Sequence, residues 1–212
     1  MAVGRRITHL EHSLRASNQE NRRLSVTDPL TGSHNRRYLM KYLPRELDRA
    51  RRYEHPLAIL SCDIDKFKKI NDGHGHDVGD EVLQEFVTRT LSCVRESIDW
   101  VARVGGEEFV LVLPETHLNG ASHVAEKVRS MLSGRPISTA GGPLRVTVSI
   151  GVTSVETPTE LAGVSVVQLL RAADRCLYAS KHLGRDRATA MSAARVVSLM
   201  SLAHPGAKNE IN

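Results

Sequence analysis

The strongest constraint on the fold is a pair of β-rich runs joined by two glycines. Residues 100–104 are WVARV and residues 109–114 are FVLVLP, with GGEE between them. Two such runs separated by a glycine-containing turn predict a β-hairpin. Glycine accepts positive φ angles and carries no side chain, so a phosphate group could approach the backbone amides of Gly105 and Gly106 closely.

Two acidic pairs are predicted to meet at this hairpin. Glu107 and Glu108 follow the glycines directly, and neighbours in an extended chain face opposite sides. Asp63 and Asp65 end the run PLAILSCDID, which is typical of a buried strand. If this strand lies beside the hairpin, Asp63 and Glu107 converge, and such hard oxygen ligands suit Mg²⁺. The alternative is that both glutamates are solvated turn residues.

The segment after this strand carries residue types that could bind a nucleotide. Asn71 and Asp80 lie in its glycine-rich part, where a carboxylate and an amide together could recognise guanine. The alternative is that both are cap or turn residues. His74 and His76 resemble a metal pair only weakly and are interpreted as turn residues. Ammonium groups that could neutralise phosphates are supplied by Lys66, Lys68 and Lys69.

The order of predicted elements is helix, strand, helix, hairpin, helix, strand, helix. It predicts an α/β domain, an α+β sandwich with a central, mostly antiparallel sheet flanked by helices. The helix predicted at 35–53 contains Pro44, which should kink or interrupt it. Another helix is predicted at 77–96. A last helix starts with a capping box of Ser165 and Gln168 and ends at a glycine, and RATA after it is a candidate strand.

The chain divides into three predicted segments: 1–26, 27–190 and 191–212. The first is an N-terminal helix that could pair in parallel with a second copy, and a buried asparagine in its seam would fix the register. The alternative is a single helix packed on the domain. The third segment has no clear period and is expected to fray. The apolar seam of the first segment runs through Ile7, Leu10, Leu14, Ser17, Asn21 and Leu24.

Composition narrows the classes of function. Aromatic residues make up only 4% of the 212 residues, which argues against a nucleic-acid surface built on base stacking. The net charge of +5 is spread along the chain, with no basic patch. There is no CxxC pair among Cys62, Cys93 and Cys176, and an odd cysteine count suits a reducing compartment. No apolar run reaches the length of a signal peptide or a membrane span, so we expect a cytoplasmic protein without a membrane or nucleic-acid partner.

Four motifs follow one another along the chain: DPLTGSHNRR, DIDKFKKINDGHGHDVGDEVL from Asp63, GGEEF at 105–109, and YASKHLGR from Tyr178. With these motifs in this order, the chain resembles the GGDEF-domain diguanylate cyclases, in particular those linked to response regulators. GGEEF is a variant of the family signature. The resemblance covers roughly residues 27–190. It implies a fold similar to the palm of nucleotidyl polymerases and cyclases.

The resemblance also implies an activity: condensation of two GTP into cyclic di-GMP with release of two pyrophosphates. A homodimer with one GTP half-site per chain would perform it, controlled by an upstream sensor or receiver domain. Two Mg²⁺ ions, or Mn²⁺, would be held by Asp63, the Ile64 carbonyl, Glu107 and Glu108. Glu107 and Lys68 take the catalytic positions. The implied substrate contacts are Phe67, Asn71, Asp80, Gly105, Gly106, Lys181 and Arg185.

One motif departs from the family pattern. Many members carry an inhibitory product site, Arg-x-x-Asp, five residues before the glycines. Asp99 is correctly placed here, but Glu96 stands at the arginine position and Arg95 is one residue out of register. On a helix end this shift rotates the side chain by ~100°. We therefore expect weak or absent feedback inhibition through this site.

Two other functions are compatible with the sequence. One is a catalytically silent module that binds GTP or cyclic di-GMP and signals through contacts. The other is a cyclase that uses a different nucleotide. The presence of Asp63, Asn71, Asp80 and Glu107 favours the active guanylate enzyme over both.

Overall fold

The structure, a computed structural model, describes residues 26–196 and residue 198. The predicted N-terminal helix and its pairing therefore lie outside the described residues, as does most of the predicted C-terminal tail. The described start of that tail packs on the domain, because Ala193 and Val196 are buried in the core.

The strands in the described part of the chain are β1 (His34–Asn35), β2 (Leu57–Ile64), β3 (Trp100–Arg103), β4 (Glu108–Pro114), β5 (Ile137–Thr139), β6 (Gly142–Leu144), β7 (Val148–Val155) and β8 (Arg187–Ala190). Six of them form the central sheet, in the order β1-β3-β4-β2-β7-β8, and β5 and β6 form a separate small hairpin. The inner pairs β3–β4, β4–β2 and β2–β7 are antiparallel, and the two outer pairs are parallel. This confirms the predicted mostly antiparallel sheet.

Helices cover both faces of this sheet. Phe86 and Val128 belong to the core on one face, whereas Leu43 and Ala172 belong to the core on the other. Strand β2 is buried along its whole length between these two layers, which explains its nearly continuous apolar sequence. The helices are α1 (Arg36–Tyr53), α2 (Phe67–His74), α3 (His76–Leu91), α4 (Leu118–Gly134), α5 (Pro158–Gly163) and α6 (Val166–His182). None of the helices in the described part of the chain has the length and apolar character that a membrane crossing requires.

Pro44 does not interrupt α1, which runs unbroken from Arg36 to Tyr53. The expected interruption is therefore wrong. A proline removes one backbone hydrogen bond of the helix. The buried face of Leu39, Leu43 and Leu47 holds the helix on the sheet in spite of that loss.

Helix α6 lies unusually close to β7, and Gly151 makes this approach possible. A Cβ atom at Gly151 would stand 2.1 Å from both the Ala173 carbonyl oxygen and the Leu177 nitrogen. Ser180 then donates a 2.7 Å hydrogen bond to the Ile150 carbonyl. This contact sets the C-terminal end of α6 beside the end of β2, where the acidic residues are.

Candidate active site

The GGEE turn is held by an arginine of the preceding strand. Arg103 donates two hydrogen bonds to the Gly106 carbonyl, from Nε at 2.9 Å and from Nη2 at 2.8 Å. Its third nitrogen, Nη1, lies 3.2 Å from Asp28 Oδ1. Asp28 in turn accepts hydrogen bonds from the backbone and hydroxyl of Thr31. Although burial alone would raise the pKa of Asp28, these bonds and the Arg103 charge hold it below its ordinary value.

Neither glycine of the turn, Gly105 or Gly106, is among the positive-φ glycines of the described residues. A Cβ atom at Gly105 would stand 3.0 Å from Glu108 Oε2, whereas a Cβ at Gly106 would meet open space. Gly106 therefore leaves space beside its backbone, and the approach of a phosphate to it stays a prediction, whereas the positive φ angle expected for these glycines is wrong.

Strand β2 brings its terminal acid next to the turn. Asp63 is directly opposite Glu108 in the β2–β4 register, and the Ile64 amide donates to the Glu107 carbonyl at 3.3 Å. Lys181 Nζ lies 2.6 Å from Asp63 Oδ2. The predicted convergence of the β2 end and the hairpin is thus present, with a cation from α6 added to it.

The electrostatics of Asp63 show how closely these charges are coupled. Burial raises the pKa of this carboxyl above its ordinary value. The hydrogen bond and charge of Lys181 oppose the rise, and the negative charges of Glu107 and Glu108 add to it. A buried carboxylate that feels two further acids is a place where a divalent cation is favourable.

The donor chemistry at this edge fits Mg²⁺. Carboxylate oxygens and the Ile64 carbonyl are hard ligands, and Mg²⁺ commonly takes only one or two carboxylates with waters and phosphates. Within residues 26–196, however, no three His, Cys, Asp or Glu side chains are arranged as a ready metal cluster. Lys181 supplies the positive charge at Asp63 in this arrangement.

Helices α2 and α3 place the two candidate base-recognition residues. Asn71 lies in α2, and its Oδ1 is buried without a hydrogen-bond partner among the described residues. Asp80 is exposed on α3. Gly79, its neighbour, leaves the space for the Asn71 amide, because a Cβ there would stand 1.9 Å from Asn71 Oδ1. Phe67 is only 6% exposed and belongs to the core. Its ring lies next to Gly79, because a Cβ at Gly79 would stand 3.2 Å from Phe67 Cζ.

The positively charged side chains predicted to contact phosphate come from two parts of the fold. Lys68 is exposed on α2, whereas Lys181 is on α6 and Arg185 follows that helix in the loop before β8. Arg185 adopts a left-handed φ of 66°. Asp65 does not join Asp63 at this edge: it accepts hydrogen bonds from the hydroxyls of Thr147 and Ser149 instead.

A cleft of about 450 Å³ lies between α1 and α6 over β2 and β4. Its lining includes Glu108, Lys181, Ser61 and Asp174, and the Ser61 hydroxyl donates a 2.8 Å hydrogen bond to Asp174. Glu107 does not line this cleft.

Asp99 is already satisfied by the turn after α3, a helix that ends at Leu91 and not at 96 as predicted. Its side chain is 2% exposed, and Arg95 Nη2 lies 2.6 Å from Oδ1. The Arg95 amide and Nε donate to the other oxygen, Oδ2, at 2.8 and 3.1 Å. Arg95 also donates to the Pro114 carbonyl. Glu96 is exposed beside this arrangement.

Sequence reasoning missed Asp28, Arg103 and Gly79 as parts of the site. Arg103 is the only charged residue in its β-rich run, which is the one signal that could have drawn attention to it. Asp28 and Arg103 are 75 positions apart in the chain, so only the fold brings them together.

The chain matches the family model described as "Diguanylate cyclase, GGDEF domain" over residues 25–187. The response regulator PleD of Caulobacter vibrioides is 46% identical over 180 residues, 84% of this chain and 37% of PleD. The diguanylate cyclase DgcP of Pseudomonas aeruginosa is 37% identical over 189 residues, 88% of this chain and 27% of DgcP. The chain thus spans about a third of the length of these curated relatives.

Solved structures agree. That of the diguanylate cyclase SiaD of Pseudomonas aeruginosa, in complex with its activator SiaC, has a TM-score of 0.71 at 36% identity and covers 88% of this chain and 70% of that one. The active GGEEF domain of a diguanylate cyclase from Vibrio cholerae has a TM-score of 0.67 at 35% identity, covering 73% of this chain and 95% of that one. Sequence match, fold and site together show that the chain belongs to the GGDEF-domain family of diguanylate cyclases.

Proposed function

We propose that this domain is a diguanylate cyclase that joins two GTP molecules into cyclic di-GMP and releases two pyrophosphates. The observation that carries the proposal is the group at the β2 end: the buried carboxylate of Asp63 lies beside Glu107, Glu108 and the open Gly106 backbone. Such a concentration of acids at a surface open to phosphate is costly for stability alone. It is favourable when a divalent cation and a triphosphate bind there.

The metal ligands we propose are Asp63, the Ile64 carbonyl, Glu107 and Glu108, holding two Mg²⁺ or Mn²⁺ ions. Bound Mg²⁺ would lower the pKa of the attacking 3′-hydroxyl and neutralise phosphate oxygens. Lys181 would move from Asp63 to the triphosphate when a metal takes over the neutralisation of that carboxylate.

The other roles follow from charge and position. Lys68 and Arg185 would stabilise negative charge on the triphosphate and the leaving pyrophosphate. Asn71 and Asp80 would recognise guanine. The unpartnered Asn71 oxygen supports this role, because a buried acceptor without a donor costs roughly 1–3 kcal/mol unless a ligand satisfies it. Gly105 and Gly106 would let the substrate approach the backbone.

Each chain binds one GTP in this proposal, so two domains must face each other for each 3′-hydroxyl to attack the partner's α-phosphate. We propose a cytoplasmic homodimer controlled by an upstream sensor or receiver domain, with residues 1–26 as the element that transmits the signal. The relative PleD carries the name of a response regulator, which supports that kind of input.

The test is GTP turnover with Mg²⁺, with cyclic di-GMP and pyrophosphate measured by chromatography. Wild type should form both products, and Glu107→Gln should form neither. The matched control is Glu96→Gln, which removes the same charge from an exposed position and should retain activity. If wild type forms no product over a range of protein concentrations, a dimer enforced by a fused coiled coil is assayed next. An inactive forced dimer that still binds GTP would show a silent binding module instead.

A further inference from the structure

The loop after α6 adopts an unusual backbone conformation. Gly184, Arg185 and Asp186 follow one another with φ angles of 115°, 66° and 44°. A residue other than glycine in the left-handed region costs of the order of 1–2 kcal/mol. Two such residues in a row persist only where the surrounding structure holds them.

Asp65, the residue that follows the end of β2, binds this loop. Its carboxylate is buried, and Oδ2 accepts a 3.1 Å hydrogen bond from the backbone amide of Asp186. The same oxygen accepts from the Thr147 hydroxyl at 2.7 Å, and Oδ1 accepts from the Ser149 hydroxyl at 2.7 Å. The two hydroxyls of β7 and its approach thereby fix the orientation of the carboxylate that the loop binds.

The side chain of Asp186 is fixed as well. Arg129 Nη1 of α4 lies 2.8 Å from Asp186 Oδ1, and Glu126 lies 2.6 Å from Arg129 Nη2. The Arg185 amide donates to the Ser180 carbonyl at 3.0 Å. The backbone on both sides of the Arg185 side chain is therefore tied to the domain.

The Arg185 guanidinium itself has no such attachment. No ion pair within residues 26–196 includes it, and the residue is exposed. A cation on a rigid, strained backbone with an unpaired head group is suited to meet an anion from solvent. Asp65 also follows Asp63 by two positions in the chain. The hydrogen bond from the loop to Asp65 therefore fixes the loop relative to the segment that carries Asp63.

We infer that Asp65 is a positioning residue: through the Asp186 amide it directs Arg185 toward the triphosphate of GTP. This inference rests on the proposed function, since it requires that the domain binds GTP. It also assigns different roles to the two aspartates of the segment CDID. Asp63 binds at the reacting edge, and Asp65 holds the phosphate-binding arginine in place from behind.

The test is a double-mutant cycle with Asp65→Asn, Arg185→Ala and the double variant. The amide of asparagine keeps the size of the side chain but has one acceptor oxygen instead of two. We expect each single variant to weaken GTP binding by about tenfold or more, the effect of losing one hydrogen bond to a charged group. The double variant should bind GTP no worse than Arg185→Ala, because Asp65 acts only through Arg185.

The readouts are the Kd for GTP by calorimetry in Mg²⁺ and the KM for turnover. Competition by GMP, which lacks the outer phosphates, should be unchanged in all three variants. A general structural role for Asp65 would instead weaken GTP and GMP alike and would add to Arg185→Ala. Additive effects on the Kd for GTP, or an Asp65→Asn variant with wild-type affinity, would overturn the inference.

Two further variants test whether a loss of GTP affinity is caused only by a loss of folding. Arg129→Met frees the Asp186 side chain from α4 without touching β2, and its smaller loss of GTP affinity should also vanish in the Arg185→Ala background. Asp48→Asn, at an exposed ion pair on α1, is the matched control and should leave affinity unchanged. If wild type makes product but the cycle is additive, only the inference fails. If wild type neither binds nor turns over GTP, both proposals fail.

Discussion

Lys181 Nζ lies 2.6 Å from Asp63 Oδ2, so a lysine of α6 neutralises the most deeply buried acid of the site. The Asp63 side chain is 9% exposed and that of Lys181 is 32% exposed. The lysine can therefore swing toward solvent while the aspartate cannot. This asymmetry suits a site in which a metal ion replaces the lysine at Asp63 and the freed ammonium meets a phosphate.

Asp63→Asn should stabilise the metal-free domain and abolish its activity. Burial, together with Glu107 and Glu108, raises the folded-state pKa of Asp63 above its ordinary value. The folded protein therefore retains a proton over a pH range in which the unfolded chain has lost it. The free energy of unfolding falls as pH rises through this range, and the penalty is complete above the raised pKa.

The measurement is the Tm at neutral pH with and without Mg²⁺. Without metal, Asp63→Asn should melt about 1–3 °C above wild type, the effect of a fraction of a kcal/mol to one kcal/mol in a domain of this size. Mg²⁺ should raise the Tm of wild type and not that of the variant. The control Asp48→Asn should respond to Mg²⁺ as wild type does. A variant that is less stable than wild type at neutral pH would contradict the assignment of Asp63 as a strained acid.

Arg103→Lys should lower the turnover rate by about tenfold or more, because hydrogen bonds from charged groups contribute about 1.5–3 kcal/mol. Lysine cannot bind the Gly106 carbonyl with two nitrogens and Asp28 with a third, as Arg103 does. The GGEE turn should then lose its fixed position while the charge is retained. Turnover at saturating GTP is the measurement, with the exposed Arg52→Lys as control. Unchanged turnover would show that the hydrogen bonds of Arg103 contribute to the stability of the fold and not to catalysis.

How far the sequence predicted the fold depends on the range of the interactions. The hairpin and β2 were predictable because alternation and apolar runs are local signals. The capping box of Ser165 and Gln168 is present at the start of α6, and that helix ends just before Gly184, as predicted. These features are decided within a few residues of chain.

The features that sequence reasoning missed depend on contacts between distant segments. Asp63 and Asp65 look equivalent in CDID, yet one meets the hairpin and the other meets β7 and the loop after α6. The Phe67 side chain lies in the core, since the first turn of α2 packs its apolar side against α3, and the substrate contact predicted for this residue stays a prediction. Strand β1 has only two residues, too few for any periodicity.

Gly79→Ala should weaken recognition of guanine without unfolding the domain. The added methyl would stand 1.9 Å from Asn71 Oδ1, and the amide would have to turn away. We expect about a tenfold loss of GTP affinity and a smaller preference for GTP over ATP, since an unpaired polar group at a binding site discriminates strongly. The measurement is competition binding. Gly134→Ala is the matched control, because a Cβ there meets nothing within 4 Å. If the preference for GTP persisted in Gly79→Ala, Asn71 would not be the residue that reads the base.

The last prediction concerns feedback by the product. Glu96 places an acid at the position where the family resemblance implies an arginine, and both oxygens of Asp99 accept hydrogen bonds from Arg95. Wild type should therefore keep its initial rate when cyclic di-GMP is added. Glu96→Arg alone should change this little, because Asp99 stays covered. The double variant Arg95→Ala with Glu96→Arg frees Asp99 and supplies a cation at position 96 instead, so it should bind cyclic di-GMP and become inhibited.

Arg95→Ala alone separates the two contributions. It exposes Asp99 but leaves Glu96 to repel the phosphates, so it should bind no more product than wild type does. Arg95 also bonds to the Pro114 carbonyl and the Thr116 hydroxyl, so its Tm must be measured alongside. Calorimetric titration with cyclic di-GMP and initial rates in its presence give independent readouts. Inhibition of wild type that disappears in Asp99→Asn would show that the site works despite Glu96, because only a product bound at Asp99 would respond to that change.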